Sequence, residues 1–257
     1  MEPVEYFPIV QLLVTPIVVP HSKRSSLLPG LPAAVWRANN LATSVGARVP
    51  TGDAALDAQL PGGGWPLGAL TEILQSPGVH GEWNLLLSAL VRCGSADVVL
   101  VEPPQIPFSP ALAARGLDAR RLLWVRASSA SQRLWAAEQA LRCAGVDAVL
   151  AWFPQVGSSQ LRRLHMAAAE FNKLLFVMRT ASAGNESSPA ILRLLLEPGL
   201  TLGAATLQVH ILKRRGPPLS QPIVLQACAP VLARLLAAAQ PVVREGPYVL
   251  DRAAALV

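Results

Sequence analysis

Short apolar runs alternate with helical patterns through the middle of this chain, and that alternation limits its fold more than any other feature. The runs that predict strands are residues 70–74, 97–101, 122–126, 146–153 and 174–180. Between them, apolar residues recur at helical spacing, most clearly in residues 160–172. Strands and helices alternating at these lengths form a mostly parallel sheet with helices on both faces, which is an α/β fold. The run 146–153 is predicted to be the most central strand.

The pattern changes after residue 188, where strands follow one another without helices between them. These strands are predicted at residues 191–197, 205–214 and 223–226. Within the second of them, Leu207, Val209 and Ile211 alternate with polar residues, which is typical of a half-buried antiparallel strand at a sheet edge. We therefore expect antiparallel strands at the C-terminal edge of the sheet.

The segment after the first strand has the setting of a phosphate-binding loop without its chemistry. Such a loop needs a glycine-rich turn whose N–H groups face the phosphates, followed by Lys and then Ser or Thr at the start of a helix. Gly78 and Gly81 flank a tight loop before a helix predicted at residues 84–93, but Glu82 and Trp83 stand where those residues belong. Because a carboxylate repels a triphosphate, we expect a degenerate nucleotide loop that binds no cofactor.

Several short blocks around this loop resemble RecA recombinases in their order and spacing. They are Pro50-Thr51-Gly52, Leu56-Asp57, Leu60 with Gly62-Gly63-Gly64, Pro66-Leu67-Gly68 and Thr71-Glu72-Ile73. Within that superfamily, the chain is most similar to the SOS-associated branch of ImuA and SulA. The PGGGWP run, the Trp36-Arg37 pair and the turn at residues 212–217 resemble the ImuA family of translesion-synthesis proteins in particular. The resemblance spans about residues 34–225 and implies a RecA-like core.

The resemblance also indicates which catalytic groups to look for. RecA-like ATPases place a magnesium-binding Asp (Walker B) at the end of the strand that here runs into Trp152. They place a water-activating Glu where Glu102 ends the neighbouring strand, and we interpret Glu102 as a carboxylate that faces solvent. The losses at Glu82 and Trp152 predict a protein that is not an enzyme and has no catalytic residues. An ATPase with an unorthodox loop is the alternative, which nucleotide binding would test.

The function implied by the resemblance is that of a non-catalytic accessory protein in SOS-induced translesion DNA synthesis. Its implied partners are an ImuB-like Y-family polymerase homologue, RecA and an error-prone replicative-type polymerase. A different class of function, a SulA-like inhibitor of cell division acting on FtsZ, is the alternative. The length of the chain, its PGGGWP run and its KRRGP turn favour the ImuA interpretation over this one.

Two segments are predicted to contact partners. Lys213, Arg214 and Arg215 project from a turn, where they could meet a protein or DNA phosphates. The apolar side chains of the C-terminal tail indicate docking and include Tyr248, Leu250 and Leu256. The net charge of +6 suits an acidic partner. It is spread over many arginines with few aromatic residues between them, so we expect any DNA binding to be weak and non-specific.

Composition and proline placement predict the organisation of the chain. Residues 1–32 are predicted to be a flexible arm, residues 33–229 the RecA-like core, and residues 230–257 a terminal helix and tail. The apolar run in the arm is too short and too interrupted by proline to span a bilayer, so no membrane is expected. Three scattered cysteines and four scattered histidines predict a cytoplasmic protein without a metal site. The resemblance adds association with the nucleoid after DNA damage.

Overall fold

The computed structural model describes residues 46–76, 78–201 and 204–226. Its strands and helices are β1 (Arg48–Val49), α1 (Ala54–Gln59), β2 (Trp65–Pro66), β3 (Ala69–Gln75), α2 (Glu82–Arg92), β4 (Asp97–Val101), α3 (Ser109–Ala114), β5 (Leu122–Val125), α4 (Ala130–Arg142), β6 (Val146–Trp152), α5 (Ser158–Phe171), β7 (Leu174–Thr180), β8 (Leu192–Thr201), β9 (Ala204–Lys213) and β10 (Ile223–Gln226). Short 3₁₀ turns precede β5 at Ala119–Arg121 and follow β7 at Ala181–Asn185.

Eight of these strands form one mixed sheet in the order β10-β9-β8-β3-β7-β6-β4-β5. The six strands from β8 to β5 are parallel to one another, and β9 and β10 are antiparallel additions beside β8. The predictions of an α/β fold, a mostly parallel sheet and antiparallel C-terminal strands are confirmed. Each parallel crossover from β3 to β7 contains a helix, as the length of these connections requires.

Two positional predictions are wrong. The strand predicted to be most central, β6, lies third from the edge formed by β5, and the two middle strands are β3 and β7. The strand predicted to form the edge, β9, has β8 on one side and β10 on the other. The alternation in β9 does hold, since Leu207, Val209 and Ile211 are buried. A hydrophobic pattern reports burial of the faces of a strand, not its lateral position in the sheet.

The hydrophobic core lies in two layers on opposite faces of the sheet. One layer joins α2, α1 and the inward side chains of β9 and β10, and it contains Leu86, Leu90 and Val209. The other joins α4 and α5 to β4, β6 and β7, and it contains Leu141 and Leu164. Apolar side chains at helical spacing put one face of each helix on the sheet, which confirms the predicted helices on both faces.

The blocks that precede β3 form a compact turn and hairpin. Asp53 caps α1 by accepting a hydrogen bond from the Leu56 N–H at 2.9 Å, and the Thr51 N–H donates to Asp57 Oδ1 at 2.9 Å. Gly52 has a φ of +92°, and a Cβ there would lie 2.5 Å from Ser88 Cβ, so glycine is required for this close approach. The Pro-Thr-Gly-Asp segment is therefore a structural connection between α1 and α2.

Trp65 fixes the β1–β2 hairpin to the sheet. Its ring is fully buried and meets the ring of Phe176 of β7 edge to face, with the centroids 5.3 Å apart.

No helix in the described ranges is long and apolar enough to cross a membrane. The predicted arm at residues 1–32 and the terminal helix and tail at residues 230–257 lie outside the described residues, so those two boundaries stay predictions.

His165 couples α5 to the middle of the sheet and predicts a pH dependence of stability. Its Nδ1 accepts a hydrogen bond from the Leu70 N–H at 3.0 Å. Burial, and to a lesser degree the charge of Lys213, lower the pKa of His165. Folding therefore favours the neutral ring. This contribution is fully present above the ordinary histidine pKa of about 6.5 and is lost as the pH falls below that value and through the lowered pKa of the folded state.

We expect the free energy of unfolding to fall more steeply between pH 7.5 and pH 5.5 in the wild-type chain than in His165→Asn. Asparagine offers an acceptor near the position of Nδ1 but does not titrate. Urea denaturation at several pH values measures both slopes. Equal slopes would contradict a coupling between His165 and folding.

Candidate functional site

The loop between β3 and α2 lies at the carboxyl edge of the parallel strands. In open α/β sheets this edge is where ligands bind. Gly78 has a φ of +81°, a conformation that glycine adopts without strain. Gly81 is the N-cap of α2, and a Cβ there would lie 2.7 Å from Leu207 Cδ1. The two glycines predicted to flank the loop therefore permit its turn and its close packing on β9.

Glu82 places its own carboxylate at the start of α2. It is the first residue of the helix, only 2% of its surface is exposed, and its Oε2 accepts a hydrogen bond from Gln75 Nε2 at 2.8 Å. His80 Nδ1 lies 3.9 Å from Glu82 Oε1. The positive end of a helix favours an anion, and here a side chain of the chain itself supplies the negative charge. A second anion at this helix end would be repelled by the buried carboxylate.

Two tryptophans stand at the other predicted positions. Trp83 is half-buried and packs against the core layer under α2. Trp152 ends β6 in the same layer with 9% of its surface exposed. The Trp152 side chain has no oxygen to bind a cation, and its buried Nε1 has no hydrogen-bond acceptor among the described residues. The structure thus places both indoles at the same apolar core layer.

Glu102 does not face solvent as expected, and that interpretation is corrected. Its φ is +56°, and its carboxylate accepts a hydrogen bond from the Ala127 N–H at 2.5 Å. Arg133 Nε lies 3.9 Å from Glu102 Oε1, and the Glu102 N–H donates to the Val125 carbonyl at 3.0 Å. The side chain and backbone of Glu102 therefore join the end of β4 to the connection between β5 and α4, which is a structural role.

The main polar feature of the interior is a cluster that sequence reasoning missed. Glu72 lies in the middle strand β3, is fully buried, and binds two arginines from the neighbouring strands. Arg179 Nη1 of β7 lies 3.1 Å from Glu72 Oε1, and Arg193 Nε of β8 lies 2.6 Å from Glu72 Oε2. The available signal was a charged residue within an apolar stretch of each of three strands, which indicates paired charges when those strands are neighbours.

The same two arginines hold the segment that follows β7. Arg193 donates to the carbonyl oxygens of Ala183, Gly184 and Glu186 at 2.7 to 3.2 Å. Arg179 Nη2 donates to Glu186 Oε2 at 2.7 Å and also reaches the Val156 carbonyl at 3.3 Å. The cluster therefore links the adjacent strands β8, β3 and β7 to the loops at the carboxyl edge.

The basic turn predicted to contact partners is partly occupied by contacts within the chain. Lys213 Nζ donates to the Ser188 carbonyl at 2.9 Å, and Arg214 Nε donates to the Pro217 carbonyl at 2.8 Å. Arg214 Nη1 also donates to the carbonyl of Gln59, the last residue of α1. Arg215 lines a small cleft with Arg48.

The predicted contact residues of the tail, Tyr248, Leu250 and Leu256, lie outside the described residues. Within the described ranges, no three His, Cys, Asp or Glu side chains lie close enough together to hold a metal ion.

Replacing Glu72 with Gln should lower the free energy of unfolding by about 3 kcal/mol, because removal of one partner from a buried ion pair leaves the other charge uncompensated. Urea denaturation measures the loss. The matched control is Arg120→Ala, which removes the exposed pair between Arg120 and Asp118 and should change stability by about 0.5 kcal/mol or less. A Glu72→Gln variant as stable as that control would show that the cluster does not stabilise the fold.

Comparison with known proteins finds a similarity to curated relatives. No protein-family model matches the chain. Two curated proteins similar to it are both called Protein ImuA, from two strains of Caulobacter vibrioides, NA1000 / CB15N and ATCC 19089 / CIP 103742 / CB 15. Each is 32% identical to it over 136 residues, which make up 48% of this chain and 55% of the relative. The chain thus spans about half the length of the curated relatives it matches. This similarity supports an ImuA-like assignment and confirms the resemblance that the sequence blocks indicated.

Proposed function

We propose that this chain is a non-catalytic accessory protein of SOS-induced translesion DNA synthesis, a form of mutagenic DNA repair, and that it acts through protein contacts. The observation that carries the proposal is the similarity to Protein ImuA over 136 residues. The non-catalytic part is supported by the chemistry at the carboxyl edge of the sheet. A fold of this kind can be kept for its surface after its site has lost the groups that reactions need.

The proposed core is RecA-like with degenerate Walker A and Walker B motifs. In support, the loop with Gly78 and Gly81 connects a middle strand to a helix at the carboxyl edge, where a phosphate-binding loop would lie. Glu82 then adds negative charge at the helix start, where a Lys would add positive charge. Trp152 offers an indole at the strand end, where a magnesium ligand would need an oxygen. Phosphoryl transfer depends almost entirely on charge stabilisation, so both changes oppose it.

The proposed partners follow from the ImuA-like assignment. An ImuB-like Y-family polymerase homologue is the principal one, and RecA and an error-prone replicative-type polymerase are further partners. The contact surface is proposed to include the tail with Tyr248, Leu250 and Leu256, and the turn with Lys213 to Arg215 as a secondary contact. We propose that the protein works in the cytoplasm and at the nucleoid after DNA damage.

We expect no ATP binding in the micromolar range by isothermal titration calorimetry in the presence of magnesium, because the buried Glu82 carboxylate repels the phosphates. The double variant Glu82→Lys, Trp83→Thr should remain without measurable hydrolysis, since Trp152 still provides no magnesium ligand. Adding Trp152→Asp to that variant tests separately whether the missing magnesium ligand is what prevents hydrolysis. Micromolar ATP binding by the wild-type chain would contradict the proposal and favour an ATPase with an unorthodox loop.

Deleting residues 244–257 should abolish co-purification with the ImuB-like partner while leaving the melting temperature nearly unchanged. The matched pair of full-length variants replaces either Tyr248, Leu250 and Leu256 with Ser, or only the charged Arg252 with Ser. We expect the first to behave like the deletion and the second like the wild-type chain, because a short segment of this kind docks in a groove through its apolar side chains.

A large fall in melting temperature on deletion would show instead that the tail packs on its own domain. Unchanged co-purification would refute the tail as the contact surface. The same experiment with FtsZ as the alternative bait separates the proposed function from inhibition of cell division.

A further inference from the structure

One face of the sheet is covered by helices over only part of its width. On the side of α4 and α5, the core layer formed by the described residues draws its strand residues from β3, β4, β6 and β7, and none from β8, β9 or β10. On the opposite side, Val209 of β9 and Leu225 of β10 are buried in the layer with α1 and α2. Successive strand residues alternate between the two sides, so the neighbours of these two residues point to the side of α4 and α5.

Five residues of the three strands share this side and are called the open face: Leu195 and Glu197 of β8, Gln208 and His210 of β9, and Val224 of β10. Cross-strand pairing joins them, because Gln208 lies opposite both Glu197 and Val224, and His210 lies opposite Leu195. None of the five is buried, and Val224 has 48% of its surface exposed. Glu197 Oε2 lies 3.0 Å from His210 Nε2, and 44% of the Glu197 side chain is exposed. The open face thus combines apolar positions with one acidic group.

The chain leaves the sheet beside the open face. Since β10 is antiparallel to β9, β9 is antiparallel to β8, and β8 is parallel to β3, Gln226 ends β10 at the carboxyl edge. Residues 227–243 follow and contain one charged residue, Arg234. A segment that is so apolar and so poor in charge lacks the composition of a solvated tail. It therefore needs an apolar surface within its reach.

The terminal helix predicted to begin at residue 230 matches the open face in length and in pattern. Residues 230–240 would form about 16 Å of helix, and five residues of a strand also span about 16 Å. Residues 227–229 would connect β10 to this helix, a length that is common between a strand and a helix. The apolar side chains of the helix recur at helical spacing and form one stripe: Val231, Leu232, Leu235, Leu236 and Ala239. The single charge of the segment is basic, and the charge exposed on the open face at Glu197 is acidic.

We propose that residues 230–240 dock as a helix on the open face of their own chain, with the apolar stripe on Leu195 and Val224 and with Arg234 near Glu197. A helix that returns from the carboxyl edge would cover β8, β9 and β10 as α4 and α5 cover the strands beside them. This inference goes beyond the proposed function and does not depend on it. Residues 244–257 lie past the docked helix, so they stay available for the partner contact proposed above.

The test is chemical cross-linking within the full chain, in a background where the three native cysteines are replaced with alanine. Val224→Cys is combined either with Leu235→Cys, in the apolar stripe, or with the matched control Ala237→Cys, on the opposite side of the same helix. We expect a short bismaleimide to join position 224 to position 235 at least tenfold faster than to position 237, because a docked helix holds only one side against the sheet. Non-reducing mass spectrometry of the monomer measures both rates.

Equal rates at the two positions would show that the segment is not docked and would overturn the proposal. A cross-linked dimer as the main product would assign the open face to a second copy of the chain, and the absence of product at both positions would place the segment elsewhere. Either result would also overturn the proposal.

A second measurement keeps the native cysteines and compares two single variants of the full chain. Leu235→Ser should lower the melting temperature by roughly 5 °C, since it removes an apolar side chain from the contact. Ala237→Ser, which sacrifices more helix propensity, should lower it by about 1 °C or less. Equal melting temperatures would contradict the docking. Both measurements use the chain alone, so they stay decisive if the ImuB-like partner does not bind.

Discussion

The buried carboxylate of Glu72 is the interaction on which the middle of this structure depends. It lies in β3 between Arg179 of β7 and Arg193 of β8, so one acidic side chain joins the three strands around which the sheet is built. The two arginines in turn hold the segment that follows β7, Arg179 through the Glu186 carboxylate and Arg193 through backbone carbonyls. Taking these charges out of water is costly, and the dense set of charge-assisted hydrogen bonds offsets that cost. The loops at the carboxyl edge therefore have a rigid base.

Glu82, the first residue of α2, lies at this carboxyl edge. A helix begins at the carboxyl edge, directly after a glycine-containing loop, and its N-terminal positive end faces a carboxylate supplied by the chain itself. Trp83 and Trp152 add apolar packing in the core layer on the same face of the sheet. Each of these residues makes its contacts within the folded chain.

The amino edge of the sheet presents a contrasting arrangement. There Arg48 and Arg215 line one narrow cleft with Gly64, and the buried Arg48 Nε lacks an acceptor among the described residues. At the carboxyl edge, the Glu82 carboxylate accepts a hydrogen bond from Gln75. In the basic turn, Lys213 and Arg214 are bonded to backbone carbonyls within the chain. The basic turn is therefore partly held by contacts within its own chain.

The sequence by itself determined the α/β class and the approximate extent of most strands of the eight-stranded sheet. Those features are local, because periodicity and residue type within one segment report them. Only the tertiary structure decided the order of the strands and the partners of Glu72, which lie 107 and 121 residues further along the chain. Arg48 and Arg215, which line one cleft, are also remote from each other in sequence. Such contacts depend on which strands become neighbours, and a hydrophobic pattern records burial without recording the neighbour.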